Sequence, residues 1–170
     1  DTFLPMALEI ERRFLIKNNE WRSFITKKTF IEQGYFSTKS NEWNIRVRSE
    51  DKKFKLTLKK HIKNFTSYEF EYEIPRGEGE IIISQITNKI YKERYYLSIN
   101  QNYWVVDIFQ GENKPLEIAE IELENEKEII KIPSFFSKEI TGIKMFSNFQ
   151  LSQSPLSSWG EEKLKKFFND

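Results

Sequence analysis

Glu9 and Glu11 alternate with Leu8 and Ile10, and Arg13 continues their parity. Alternate side chains of a strand point to opposite faces. Two carboxylates and a guanidinium therefore line one face, and greasy side chains mark the other, with Arg12 as the exception. The arrangement recurs. Glu69, Glu71 and Glu73 stand against Phe70, Tyr72 and Ile74, and Glu120, Glu122 and Glu124 against Ile121 and Leu123. Other stretches carry cations: Arg46 and Arg48, Lys55 and Lys59, Lys92 and Arg94, with Asp107 on a strand of its own. A single strand of this kind is ordinarily the wet side of an antiparallel sheet. Here acids and bases are segregated by strand, whereas a solubility surface mixes them. If the rows share an interior, crowded carboxylates protonate unless a cation neutralises them. Hard Glu oxygens select Mg2+ or Mn2+, and Arg forks grip oxyanions. A charge pair at about 4 Å is worth roughly 1 kcal/mol in water and about 4 kcal/mol at an effective dielectric near 20. Metal on one wall and cations on the others meet the needs of phosphoryl hydrolysis: a clamp, charge neutralisation and an activated water.

The elements that must hold these rows follow from periodicity. Strands are predicted over 7–16, 28–37 (Gly34 as a bulge), 42–49, 53–59, 67–75, 90–99, 103–109 and 116–124. Hairpin turns fall at 50–52 and 100–102, a loop at 60–65 and a turn at 111–114. Helices are predicted over 20–26, 78–88 and 135–149, the last broken near Gly142, with a terminal amphipathic helix from about Leu156. So many strands disfavour one flat sheet with a bare charged face, and closing the sheet removes its edges. The expectation is a mainly β fold with some α: a closed antiparallel barrel, charged within, helices packed outside.

The chain has 170 residues, 31 % of them charged, yet its net charge is only +1. Bulk charge therefore names no nucleic-acid or membrane partner. Aromatics at 15 % argue for an ordered core, and the absence of cysteine excludes disulfide and thiolate chemistry. No apolar run is long enough to span a membrane, and no signal peptide opens the chain, so a cytoplasmic location is expected. One domain over 6–170 is expected, residues 1–5 being a cloning remnant or an alternative start.

The ordered set of motifs resembles the CYTH superfamily, the triphosphate tunnel metalloenzymes. Glu9-Ile10-Glu11-Arg12-Arg13-Phe14 resembles its ExExK signature. Arg46-Val47-Arg48, Leu56-Thr57-Leu58-Lys59 and Glu69-Phe70-Glu71-Tyr72-Glu73-Ile74 look like its RxR, LTxK and EFEYEI strands. Lys92-Glu93-Arg94-Tyr95, Trp104-Val105-Val106-Asp107, Ala119-Glu120-Ile121-Glu122-Leu123 and Glu139-Ile140-Thr141-Gly142 extend the match from Met6 over nearly the whole chain. The resemblance implies an eight-stranded tunnel that hydrolyses a triphosphate with Mg2+ or Mn2+, inorganic tripolyphosphate being the usual substrate of small bacterial-type members. Some relatives hydrolyse thiamine or RNA triphosphates, and others cyclise ATP.

By position, Glu9, Glu11, Glu120 and Glu122 would hold metal, Glu122 being favoured over Glu120. Arg13, Arg46, Arg48, Lys59, Lys92 and Arg94 would grip phosphate, and Glu69, Glu71 and Asp107 would orient them or a water. The chain also departs from the pattern. Arg13 replaces the signature lysine and cannot act as a base near neutral pH. Ser67 stands for a frequent Arg, Val105 for a frequent Glu, and Met145 for a basic residue that the adjacent Lys144 could supply. The alternatives are a non-catalytic polyphosphate- or nucleotide-binding tunnel, an adenylate cyclase or thiamine triphosphatase, and a lipocalin-like barrel, which would want an apolar interior. Lys55, Glu73 and Glu124 read as rim residues and His61 as a solvated loop residue. The expected partner is a small triphosphate, and the protein a monomer or homodimer.

Overall fold

The computed structural model describes residues 7–38 and 42–168. The proposed domain start at Met6 lies outside them. Among the described residues, nine strands form one antiparallel sheet: β1 (Leu8–Ile16), β2 (Ile25–Tyr35), β3 (Asn44–Glu50), β4 (Lys53–Lys63), β5 (Thr66–Ile74), β6 (Lys89–Ile99), β7 (Asn102–Phe109), β8 (Glu117–Glu122) and β9 (Phe136–Glu139). Their order is β5-β4-β3-β2-β6-β7-β8-β1-β9, and a β5–β1 pairing closes eight of them into a barrel. The expected closed antiparallel barrel is the observed one.

β1 is the seam. Its first residues pair with β5 (Leu8 opposite Tyr68), its last with β9 (Phe14 opposite Glu139), and its other edge with β8 (Arg13 opposite Glu120). Two-residue turns at Asp51-Lys52 and Asn100-Gln101, all four with positive φ, join β3 to β4 and β6 to β7. Such turns match the twist of the strands they connect.

The apolar rows face outward, and most of their length is covered, Leu8, Phe30, Tyr72 and Tyr91 remaining exposed. Trp21, in a 3-10 turn over Asn19–Phe24, packs with Phe135 and Phe136 on Tyr95, Leu97, Trp104 and Ile121. α1 (Arg76–Gln85) sends Ile83 onto Val47 and Phe54. The chain beyond β9, including α2 (Asn148–Gln153) and α3 (Glu161–Phe168), brings Phe146, Leu151, Leu156 and Trp159 over Leu15, Ile90, Phe109 and Ile118. Fully burying each such aliphatic side chain is worth about 1.5–3 kcal/mol. Among the described residues, no helix is long and apolar enough to cross a membrane.

Four local expectations are corrected. The 20–26 helix is a 3-10 turn, because β2 begins at Ile25. The 60–65 loop is mostly strand: β4 runs to Lys63 with its far end in solvent, so polarity there marks exposure. The helical stretch 135–149 begins as β9, a strand claimed by the open edge of β1, and its helix is confined to α2. Gly34 makes no bulge. It pairs in register with Val47, and a Cβ there would lie 2.9 Å from the Ile86 side chain.

Candidate active site

The charged rows turn inward. Lys59 on β4 stands among three carboxylates: it is ion-paired with Glu9, and lies 3.4 Å from Glu11 and 3.9 Å from Glu69. Burial, only partly offset by Lys59, pushes the Glu9 and Glu11 carboxyls above their ordinary value. Glu69 adds to the rise at Glu9, and Glu9 and Glu120 to that at Glu11. Glu122, opposite Glu11 across the β1–β8 pair, is also raised, first by burial and then by Glu9 and Glu11. Burial works against the Lys59 ammonium, but Glu11 and Glu9 hold it well above the usual lysine range.

A second network lies deeper. Asp107 on β7 and Lys92 on β6 are both fully buried, and the Lys92 ammonium donates to Asp107 at 2.6 Å. Arg94 donates to both Asp107 oxygens, each at 2.8 Å. Burial would raise Asp107, yet Arg94 and Lys92 outweigh it and hold the carboxyl far below its usual range. Burial pushes Lys92 down to about 7, Asp107 notwithstanding. Glu120 joins the network, 3.2 Å from Arg13 and 3.9 Å from Arg94. These cations overcome burial and lower its pKa.

Arg13 is fixed from several sides. Its Nη1 donates to the Phe146 carbonyl at 2.9 Å, and its backbone N–H to Thr141 at 2.9 Å. Among the described residues, its Nη2 is buried with no hydrogen-bond partner, and so is Nε of Arg46. Arg46 faces Glu71 at 3.8 Å and Glu69 at 4.0 Å. Arg48 donates to Gln33, whose amide donates to the Tyr35 hydroxyl. Burial, with Arg46 and Arg94 nearby, pushes the Arg48 guanidinium down to about 10, so it remains charged at neutral pH.

A cavity of about 90 Å³ is lined by Glu11, Arg13, Tyr35, Arg46, Lys59 and Asn148. A wider one of about 950 Å³ opens beside the β6–β7 turn, lined by Glu9, Glu11, Arg94, Glu120 and Glu122. Glu11 is common to both. The barrel therefore brings together Glu9, Glu11, Arg13, Arg46, Lys59, Glu69, Glu71, Arg94, Glu120 and Glu122, with Lys92, Arg48 and Asp107 supporting them. It does not bring in Lys144, which is exposed and lines none of the described cavities. Asn148 arrives from the same segment instead and accepts from Lys92 at 3.1 Å.

Gln33, Tyr35, Thr57 and Asn148 were not foreseen as site residues. The first two lie on the inner face of β2, which carries no charged row to reveal it. Thr57 stood between Lys55 and Lys59, and it donates to Glu71 at 3.1 Å. His61 is exposed on β4, and Lys55 sits at the rim paired with Glu71 at 2.8 Å.

A closed antiparallel barrel whose interior gathers buried cations and carboxylates is the class that fold and site define. The family model of the CYTH domain matches residues 7–150, and the chain belongs to that family. It is 35% identical over 158 residues to an inorganic triphosphatase of Acetivibrio thermocellus, across 92% of this chain and 100% of that one. An inorganic triphosphatase of Nitrosomonas europaea is 25% identical over 150 residues, 86% of this chain and 97% of that one. A solved inorganic triphosphatase superposes with a TM-score of 0.64 at 25% identity, over 86% of this chain and 95% of that chain.

Proposed function

We propose that the protein is a Mg2+- or Mn2+-dependent triphosphatase that cleaves inorganic tripolyphosphate to pyrophosphate and phosphate. One observation carries the reading: among the described residues, Arg13 Nη2 and Arg46 Nε are buried without hydrogen-bond partners, inside a barrel that also gathers Arg48, Lys59, Lys92 and Arg94. A buried donor without an acceptor is costly, and phosphate oxygens are the acceptors that guanidinium forks fit best. The two similar proteins named inorganic triphosphatases support the choice of substrate.

Glu9, Glu11 and Glu122 supply the oxygen donors that a hard divalent ion takes, with Lys59 beside two of them. Burial raises all three carboxyls, and neighbouring carboxylates add to it: Glu69 at Glu9, Glu9 and Glu120 at Glu11, Glu9 and Glu11 at Glu122. A cation would relieve that crowding. Glu120 fits poorly because Arg13 and Arg94 already engage it. When bound, the ion would supply charge neutralisation and Lewis-acid polarisation. The remaining chemistry belongs to the chain. Arg13 and Arg46 offer their free donors to phosphate oxygens. Asp107 fixes Lys92 and Arg94 so that their positive charge is already oriented when substrate arrives. Glu69 and Glu71 flank Arg46, and Glu71 also holds Lys55.

A second reading has its own support. Lys59 already stands beside Glu9 and Glu11, and among the described residues no three acidic or histidine side chains converge at ligand spacing. That arrangement favours a polyphosphate-binding tunnel without turnover. Phosphate release from tripolyphosphate, pyrophosphate and ATP, with Mg2+, Mn2+ or chelator, separates the two. Release from tripolyphosphate that chelator abolishes supports the triphosphatase. Tight binding with no release supports the binder.

A further inference from the structure

We propose that Glu50 is a specificity-determining residue of the triphosphate site, a fixed carboxylate that turns away phosphate chains longer than tripolyphosphate. This rests on the triphosphate reading above and names what limits the chain length that the site takes.

β3 carries Arg46, Arg48 and Glu50 on its inner face. The first two belong to the cationic row, and Glu50 reverses the sign one step nearer the mouth at the β3–β4 turn. The neighbouring strands change at the same level. Ile31 of β2, opposite Glu50, is fully buried. On β6 Tyr96 follows Lys92 and Arg94, and on β7 Val105 follows Asp107, opposite Tyr96. The interior cations of these strands therefore stop at Arg48 and Arg94. Lys27, Lys53 and Lys55 line the mouth beside Glu50. Each is already engaged by a carboxylate, Asp51 at 2.6 Å, Glu73 at 3.9 Å and Glu71 at 2.8 Å respectively.

Glu50 is held in place. The Thr29 hydroxyl donates to its Oε1 at 2.7 Å, and the Tyr96 hydroxyl donates to the same oxygen. Burial works against the charge, but those two hydroxyls, with Arg94 and Arg48 nearby, keep the carboxyl below its ordinary value. Glu50 is therefore ionised at neutral pH. A carboxylate from β3 and hydroxyls from β2 and β6 thus form a clasp between Arg48 and the mouth.

The opposite end of the site is crossed by residues 147–149. Asn148 accepts from Lys92, and the Phe149 ring packs on Tyr35 with centroids 5.6 Å apart. A triphosphate gripped by Arg13, Arg46 and Arg48 lies between that segment and Glu50. A further phosphate has to stand against the Glu50 carboxylate, and like charges brought together suppress the wrong partner. Glu50 is not among the β1 and β8 carboxylates assigned to the metal ion, so its charge keeps its full effect.

The test is calorimetric titration of tripolyphosphate and of linear tetrapolyphosphate, separately, in chelator so that no turnover intervenes. Wild type, Glu50→Gln and Glu50→Asp are compared. Gln removes the charge and keeps an oxygen that accepts from Thr29 and Tyr96. Wild type should bind tripolyphosphate at least about tenfold more tightly than tetrapolyphosphate. Glu50→Gln should gain about tenfold on tetrapolyphosphate and stay within about threefold on tripolyphosphate. Glu50→Asp keeps the charge and should keep the wild-type preference. The proposal is overturned if wild type binds both chains alike, if Glu50→Gln strengthens both equally or neither, or if Glu50→Asp loses the preference as Gln does. Binding of tripolyphosphate without phosphate release would sink the triphosphatase reading, and the chain-length preference would still decide this one. If wild type binds neither chain, both fall.

Discussion

Replacing Asp107 with Asn keeps the side chain's size and removes one buried negative charge. That charge accepts from Lys92 at 2.6 Å and twice from Arg94 at 2.8 Å. The remaining carboxylate of the network, Glu120, is 3.9 Å from Arg94 and is shared with Arg13. Removing one partner of a buried ion pair costs about 3–5 kcal/mol. In a chain of this size each kcal/mol moves the melting temperature about 2–4 °C. Asp107→Asn should therefore melt roughly 6–20 °C below wild type at neutral pH.

The sign of the pH dependence follows from Lys92, which burial already pushes down to about 7. Without Asp107 it titrates lower still. Between that value and the ordinary lysine range the unfolded chain binds more protons than the folded one, so the variant's stability rises with pH. Tripolyphosphate restores negative charge and should raise the variant's melting temperature more than that of wild type. Thermal melts at about pH 6 and about pH 9, with and without tripolyphosphate, provide the check. A variant that melts within about 2 °C of wild type would refute the reasoning, because the network would then bear no buried charge.

Glu122→Gln should raise the metal concentration needed for half-maximal phosphate release while leaving the melting temperature nearly unchanged. Glu120→Gln should do the reverse, since its partners are Arg13 and Arg94. A metal titration of both variants, with parallel melts, tests the assignment. Glu9, Glu11 and Glu122 titrate above the ordinary glutamate value of 4.5, and a protonated carboxyl does not bind metal. The metal requirement should therefore rise as pH falls, beginning above 4.5, and an acid limb confined below that value would contradict these shifts. Gly79→Ala should destabilise the fold by about 1–3 kcal/mol, because its Cβ would meet the Phe54 ring at 2.3 Å. Chemical denaturation measures that loss.

Alternation was readable wherever a strand is charged on one side and greasy on the other, which is why β1, β3 to β6 and β8 were placed with their inward residues. β2 hid its inner face because Thr29, Ile31, Gln33 and Tyr35 are uncharged, although all are buried. β9 hid for a different reason. Its four residues have no strong pattern of their own and become a strand through pairing with β1. The same nonlocality explains Asn148: contact with Lys92 spans 56 positions and depends on how the chain crosses the strand ends. The charge of Lys144 and its place beside Met145 suggest a site residue, but it lies in a 3-10 turn whose Phe146 is the residue turned toward the core.

The central claim is that the charged rows form one interior site for a triphosphate. A crystal structure with tripolyphosphate and Mn2+ tests it most directly. Phosphate oxygens are predicted within hydrogen-bonding distance of Arg13 Nη2 and Arg46 Nε, with the metal on Glu9, Glu11 and Glu122. Tripolyphosphate held on the outer surface, with Arg13 Nη2 and Arg46 Nε still without an acceptor, would contradict it.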